Sequence, residues 1–481
     1  MVDTVIGLEV GHFTSAALGT DPVRLLRLEG TERLGQLYEF RVTINHDSGQ
    51  LTEKELEQML LAPCCLTFTN GDPIHGIARE VSLRAAYGLA AIYEVVIVPT
   101  VWLMTVSKMC RVFQGMNVKD MAATVLKDYG LADHSDLRIT DVTTRDHVMQ
   151  YHESDWDYLQ RWFEHEGYFY WFEHSTSGEK LCVTDANSNT TPIGGNSTVP
   201  YRDLRGVLKG QDGVLEWGMV QRRIPARIVL KDYDEDKPLL SLVGKADVDT
   251  KRGFGTYFEY GDEFDTPAAG AALAKKRAER FQTERLTLTG VTNSTRFHVG
   301  HWFQLSEHFD DEQCRKYLIT AIDYQAGGGP DAPHKGELRA TFEAIPFDVQ
   351  YRPERRTAWP SIAGVVHAHI DSDSSGKFST LDSKSRYRIR FPFDTAGKKG
   401  EKSSTWVRLA QGYAGSGYGS HSPLHLGTEV IVAFYDGDPD RPVIVGAVPN
   451  AITSAASTSA NASQSTIRSA SGIHIAMDDE L

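Results

Sequence analysis

Cysteine is scarce and shows no pattern in this sequence. Cys64, Cys65, Cys110, Cys182 and Cys314 are odd in number and scattered, with no C-x-x-C and no metal-ligand spacing. That argues against a disulfide framework and for a reduced compartment. Long apolar runs are also missing. The most apolar stretch, 92–106, is broken by Glu94 and Pro99 and is too short to span a bilayer. The opening MVDTVIGLEVGHF has no basic segment followed by an apolar one, so no signal peptide is expected. The protein is expected to begin life in the cytoplasm, and any export needs a dedicated machine. Basic charge is in deficit: 50 Lys and Arg stand against 64 Asp and Glu, a net charge of −14. A chain this acidic is a poor general binder of nucleic acid or anionic membrane. The deficit is uneven, with −15 over residues 1–350, +3 over 351–450 and −2 over 451–481.

The common catalytic signatures are absent as well. There is no G-x-S-x-G elbow, no H-E-x-x-H, and no Gly-Lys pair followed by Ser or Thr. The glycine-rich AGSGYGSHSP (414–423) precedes a strand-like HLGTEVIVAFY, so it reads as a loop and not as a phosphate cradle. No catalytic residue, cofactor or required metal is expected.

What is present reads mainly as strands. RLLRLEG, EFRVTIN, CCLTFTN, AIYEVVIV, ARIVLKDY and RLTLTGV are rich in β-branched and aromatic residues, and many alternate apolar with polar. Helices are few but well marked. Thr52 with Glu55 forms a capping box, Asn117 precedes VKDMAATVLKDY, Ser154 with Asp157 opens SDWDYLQRWFEHE, and Thr266-Pro267 opens AAGAALAKKRAERFQ. The proline- and charge-rich PFDVQYRPERRTAWP predicts a linker at 346–360, and the Ser/Ala/Thr tract a second at 451–466. A compact piece of short strands, 361–450, lies between them.

Three clusters invite a chemical reading. His152, Glu153, Asp155 and Asp157 sit together at a helix start, where the positive end of the helix dipole favours acids without any catalytic role. DSDSSGKFSTLD (371–382) partly matches a calcium loop, making Asp371, Asp373 and Asp382 weak metal candidates. Its flanks are strands and its last position is not Glu, so a turn is the better reading. SRYRIRF puts Arg386, Arg388 and Arg390 on one strand face and Tyr387, Ile389 and Phe391 on the other. Aromatics facing away from the arginines fill a barrel and form no stacking platform for nucleic acid.

Three segments go beyond composition. They are ESD-W-D-Y-x-x-R (Glu153, Asp155, Arg161), W-x-R-x-A-Q-x-x-A-G-x-x-Y-G (from Trp406 and Arg408), and GDPDRP-x-I-x-G-x-V-x-N. The last comprises Gly437, Asp438, Pro439, Asp440, Arg441, Pro442, Gly446 and Asn450. In these segments, and in order along nearly the whole chain, the sequence resembles the VgrG family, the spike proteins of type VI secretion and related contractile injection machines. The resemblance implies a mainly β fold with a few helices. It comprises a tail-hub-like region with two β-barrels over 1–345, a small oligonucleotide/oligosaccharide-binding-type barrel over 361–450, and the start of a trimeric β-helical needle at 467–481. It implies a homotrimer that caps a ring of the Hcp-type tube protein among baseplate proteins. It also implies a PAAR-type tip and effector cargo or an adaptor, no nucleic-acid partner, and contact with a target membrane only by puncture. Family needles continue far past the small barrel, whereas here the needle is barely begun. Ile473, Ile475 and Met477 alternate as one needle strand would and are the expected threefold packing residues.

Overall fold

The computed structural model describes residues 11–19, 23–69, 71–88, 90–140, 142–202, 212–327 and 338–480. The chain divides into two units. The first comprises Met1–Val106, Val118–Val142 and Leu159–Ala358; the second comprises Ser107–Asn117, Thr143–Tyr158 and Trp359–Leu481.

The first unit is built on a 13-stranded sheet. Its main path runs Gly11–Ser15, Pro63–Phe68, Pro73–Tyr87, Ala90–Val98, Glu39–His46, Val23–Arg33, Lys316–Gly327, Arg339–Pro346, Leu286–Thr292 and Val214–Gln221. The alternation read in EFRVTIN and AIYEVVIV puts Phe40, Val42, Ile44, Tyr93 and Val95 inside. Several glycine positions beside this core leave no room for a side chain. One is Gly300, at φ +76°, where a Cβ would fall 2.2 Å from the Trp171 ring. A second layer in the same unit packs helix Pro267–Arg285 on a three-stranded sheet of Leu242–Asp247, Arg227–Asp232 and Thr256–Tyr260. Ile228, Leu230, Leu242, Phe264, Leu273 and Ala274 form its core. Each predicted helix start is present. Thr52 and Glu55 complete their capping box, Thr266 caps Ala269 with Pro267 in the first turn, and the Ser154 hydroxyl accepts the Asp157 N–H at 3.0 Å. Among the described residues no helix is long and apolar enough to cross a membrane.

Two expected boundaries need correction. A region running unbroken over 1–345 is not what forms, because Ser107–Asn117 and Thr143–Tyr158 belong to the second unit. The expected linker at 346–360 is, up to residue 358, a strap fastened to the first unit. Tyr351 donates its hydroxyl to Leu34 O at 3.1 Å, and Arg352 reaches Glu279 at 2.8 Å and the carbonyls of Gly167 and Asp185 at 2.9 and 2.7 Å. Arg355 binds Asp262 at 2.7 Å. The N–H groups of Arg356 and Thr357 donate to the buried Glu164 at 2.8 and 2.9 Å. The charges of this run are paired.

The second unit centres on a five-stranded sheet ordered Arg388–Arg390, Val365–Asp371, Glu429–Phe434, Pro442–Ala447 and Arg408–Leu409. Tyr387, Ile389 and Phe391 are buried, as the alternation requires. The tail is a two-stranded hairpin, Gln464–Arg468 with His474–Asp478, where a linker to 466 and a single strand were expected.

Candidate functional site

The GDPDRP segment joins two antiparallel strands, with Phe434 opposite Pro442. The turn needs two residues in the left-handed region, Asp436 at φ +53° and Gly437 at φ +78°. At Gly437 a Cβ would also stand 2.4 Å from the Ser361 hydroxyl, while its carbonyl accepts the Ile362 N–H at 2.8 Å. Asp438 Oδ1 accepts the Asp440 N–H at 3.0 Å, and the Arg441 N–H returns to the Asp438 carbonyl at 3.0 Å. Pro439 and Pro442 have no N–H to satisfy.

The Asp440 carboxylate accepts the backbone N–H of Met149. Met149 belongs to strand Val148–Ser154, which pairs antiparallel with Lys108–Phe113. This ribbon supplies Val112 and Met149 to the same core as Ile362, Ala368, Ile370, Tyr387, Ile389 and Val430. Met149 lies four residues before the first signature segment, and its bond to Asp440 spans 291 positions of the chain.

The acidic cluster at the helix start is accounted for by local pairing. Asp155 forms an ion pair with Arg111 and accepts the Gln150 amide at 2.8 Å, while Arg111 Nε donates to Gln150 Oε1 at 2.9 Å. His152, at φ +49°, donates its N–H to Cys110 Sγ at 3.4 Å. Glu153 is buried in the strand. Arg161 is buried further along the helix, in the first unit, over the Trp162 ring at 5.2 Å. Arg111, Gln150 and Met149 went unread in the sequence. Arg111 and Met149 have distant partners, and a lone Arg or Met in a strand gives no local signal.

The remaining signature residues hold strands and turns. The Arg388 guanidinium lies 4.4 Å over the Trp406 ring, and Arg408 stacks on Tyr435 at 5.3 Å while donating to its hydroxyl at 2.9 Å. Gly446 borders the bulge where the register shifts between Ile431 and Val432. The Asn450 amide donates to Glu429 at 2.8 Å.

Asp371, Asp373 and Asp382 do not converge within ligand distance of one another. Asp371 accepts the N–H groups of Ser372 and Gly400 at 3.0 and 3.1 Å. Asp382 is bound by Arg386 at 2.6 Å and accepts the Lys384 N–H at 2.9 Å. In the tail, Ile467 lies opposite Ile475 and Ser465 opposite Met477. Ile467, Ile473, Ile475 and Met477 therefore share one face, and all four are exposed. Ile467 was not among the expected packing residues. The alternation of Ser465 and Ile467 before Gly472 is the signal that could have found it.

A stability prediction follows from the Asp440 contact. Asp440→Ala leaves the Met149 N–H without its acceptor, and bonds to charged groups contribute about 1.5–3 kcal/mol. Urea unfolding of the second unit should show a loss of that size. A change under 0.5 kcal/mol would show that the contact carries no weight.

This arrangement is a set of fixed turns and stacked arginines, within which the Asp438 and Asp440 carboxylates each bring an oxygen within 4.8 Å of the other. Comparison with known proteins gives it a context. The profile of the family "Phage tail baseplate hub (GPD)" matches residues 31–330. The profile "Type VI secretion system/phage-baseplate injector OB domain" matches 378–448. The Pseudomonas aeruginosa type VI secretion system spike protein VgrG1a is 31% identical, over 94% of this chain and 72% of its own length. VgrG1b of the same organism is 30% identical over 94% of this chain and 62% of its own length. Among solved structures, an E. coli component of the type VI secretion system matches with a TM-score of 0.67 and 20% identity, covering 91% of this chain and all of that one. It is described as structurally similar to the bacteriophage tail proteins gp27 and gp5.

Proposed function

Because the chain belongs to the VgrG family of type VI secretion spike proteins, with a phage-type baseplate hub and an injector OB domain, we propose that it works as a homotrimer, by geometry and without turnover. The hub caps a ring of Hcp-type tube protein among the baseplate proteins. The small barrel leads into a needle bearing a PAAR-type tip, and effector cargo travels with it. Assembly takes place in the cytoplasm and the injection machine carries the spike out of the cell. Contact with a target membrane is by puncture, and nucleic acid is not a partner. A catalytic role is no part of this reading.

The observation that carries the trimeric reading is the tail hairpin. A two-stranded hairpin is marginal alone in water, and this one shows Ile467, Ile473, Ile475 and Met477 to solvent from a single face. Copies of the same hairpin around a threefold axis would cover that face. Light scattering at micromolar concentration should give three times the mass of the chain; a stable monomer would sink the reading.

Burying one such side chain contributes about 1.5–3 kcal/mol. Ordering each residue's backbone costs about 1–2 kcal/mol, so over a short tail the two nearly cancel. Deleting residues 465–481 should therefore leave the trimer assembled, with a melting temperature lowered by a few degrees. Folded monomers would make the tail the trimerisation element.

A further inference from the structure

One face of the smaller sheet in the first unit is bare. Helix Pro267–Arg285 covers the side that carries Ile228, Leu230 and Leu242. On the other side the register lines up Lys245, Val229 and Phe258 in one row, and Val243, Lys231 and Tyr260 in the next. Phe258 is 58% exposed and Tyr260 54%, and both lysines are exposed. Arg227 and Asp247 close the face as a pair of opposite charge. Strand Thr256–Tyr260 is an edge, paired among the described residues with Arg227–Asp232 alone. Exposed edges and large aromatic patches are what monomeric proteins avoid. The lysines give this face a basic floor within a part of the sequence that is otherwise strongly acidic.

Its complement is on the same chain. The loop between strands His301–Ser306 and Lys316–Gly327 reads Glu307-His308-Phe309-Asp310-Asp311-Glu312. Phe309 is 85% exposed, its ring held 4.1 Å from that of His308. Glu307 is paired with Arg202, and Asp310 accepts the Glu312 N–H at 3.1 Å. Asp311 and Glu312 are exposed and form no ion pair among the described residues. The loop thus offers one aromatic side chain flanked by two unpaired carboxylates. The sheet face offers two aromatics flanked by two ammonium groups.

We propose that, in the assembled protein, the loop 307–313 of one copy docks on this sheet face of the next. Phe309 packs against Phe258 and Tyr260, and Asp311 and Glu312 face Lys231 and Lys245. The inference rests on the trimeric reading and deepens it by naming a seam between subunits. The partner is a second copy because one chain carries both halves of the match, in charge and in apolar character. The two halves are different surfaces, so the contact is head-to-tail, the kind that closes into a ring when the rotation per subunit permits. Aromatic residues are also enriched at interface centres, with polar groups at the rim.

The test uses the full chain in four forms: Lys231→Glu with Lys245→Glu, Asp311→Lys with Glu312→Lys, all four together, and Phe309→Ala. All these positions are exposed, and circular dichroism with a thermal melt confirms folding. Trimer dissociation is read by sedimentation. Like charges brought face to face at an interface cost several kcal/mol, so each double reversal should weaken assembly about tenfold or more. The fourfold variant should recover most of that loss. Phe309→Ala, which leaves the charges alone, should weaken assembly about tenfold by removing the central aromatic. If the wild type is a trimer and the double reversals or Phe309→Ala dissociate as it does, the seam is wrong and the trimer stands. The seam is also wrong if the fourfold variant stays as weak as the doubles. If the wild type is a monomer, the seam and the trimeric reading fall together.

Discussion

Asp262→Ala is expected to lower the unfolding free energy of the first unit by about 3–5 kcal/mol, the cost of stranding a buried charge. The charge stranded is Arg277. Its guanidinium is buried, with Nη2 3.1 Å from Asp262 Oδ2 and Nη1 donating to the His165 carbonyl at 2.7 Å. Asp262 also anchors the strap through Arg355 at 2.7 Å. Removing the carboxylate therefore leaves two guanidinium groups short of a partner, one of them away from water. Burial alone would raise the Asp262 carboxyl, but Arg277, His165 and Arg355 hold it far below the usual carboxylate range. A depressed acid contributes stability above its unfolded value, near pH 4 for aspartate, and loses it as pH falls further. The gap between wild type and variant should be full at pH 7 and shrink below pH 4. Urea melts at pH 7 and pH 3 check both statements, and a loss below 1 kcal/mol at pH 7 would contradict the first.

Tyr387→Ala should cost the second unit about 3–5 kcal/mol, the range for truncating a large buried aromatic. The ring is buried in the barrel core, between the sheet strands and the segment 421–424. Its hydroxyl accepts the Leu424 N–H at 3.1 Å, and its backbone exchanges hydrogen bonds with Val407. Tyr387→Phe separates the two contributions. It keeps the ring and removes only the hydroxyl, which also lies 3.4 Å from His421 Nε2, so it should cost about 1 kcal/mol. Equal losses for the two variants in urea unfolding would show that the ring's burial is not what holds the barrel.

Local signals in the sequence translated well into structure, because their causes lie within a few residues. The capping box at Thr52 and Glu55, the Ser154 cap and Pro267 in the first turn satisfy backbone donors four residues away at most. The alternation in SRYRIRF buried Tyr387, Ile389 and Phe391 for the same reason, although regular pairing is confined to Arg388–Arg390. Long-range pairing was not legible. Nothing near GDPDRP announces that Asp440 reaches Met149, and nothing near ESD announces Arg111. Composition misled at 346–360, since a run of arginines looks the same whether water or Glu279, Asp262 and Glu164 receives it. The signature segments were recognisable as a pattern, while the core shared by Val112, Met149 and residues 362–444 became visible only in three dimensions.

That shared core has a consequence for the order of events during synthesis and for the integrity of the chain after a cut. The barrel strands from residue 365 onward are made late, yet the core they close includes Val112 and Met149, made far earlier. The ribbon of Lys108–Phe113 and Val148–Ser154 must wait, with its apolar side unmet, until residues 362–444 have left the ribosome. A protease that nicked the strap between residues 346 and 358 would break one covalent link and release nothing. The later fragment would still be packed on a ribbon that belongs to the earlier one, so the two pieces would part only when the barrel core itself unfolds.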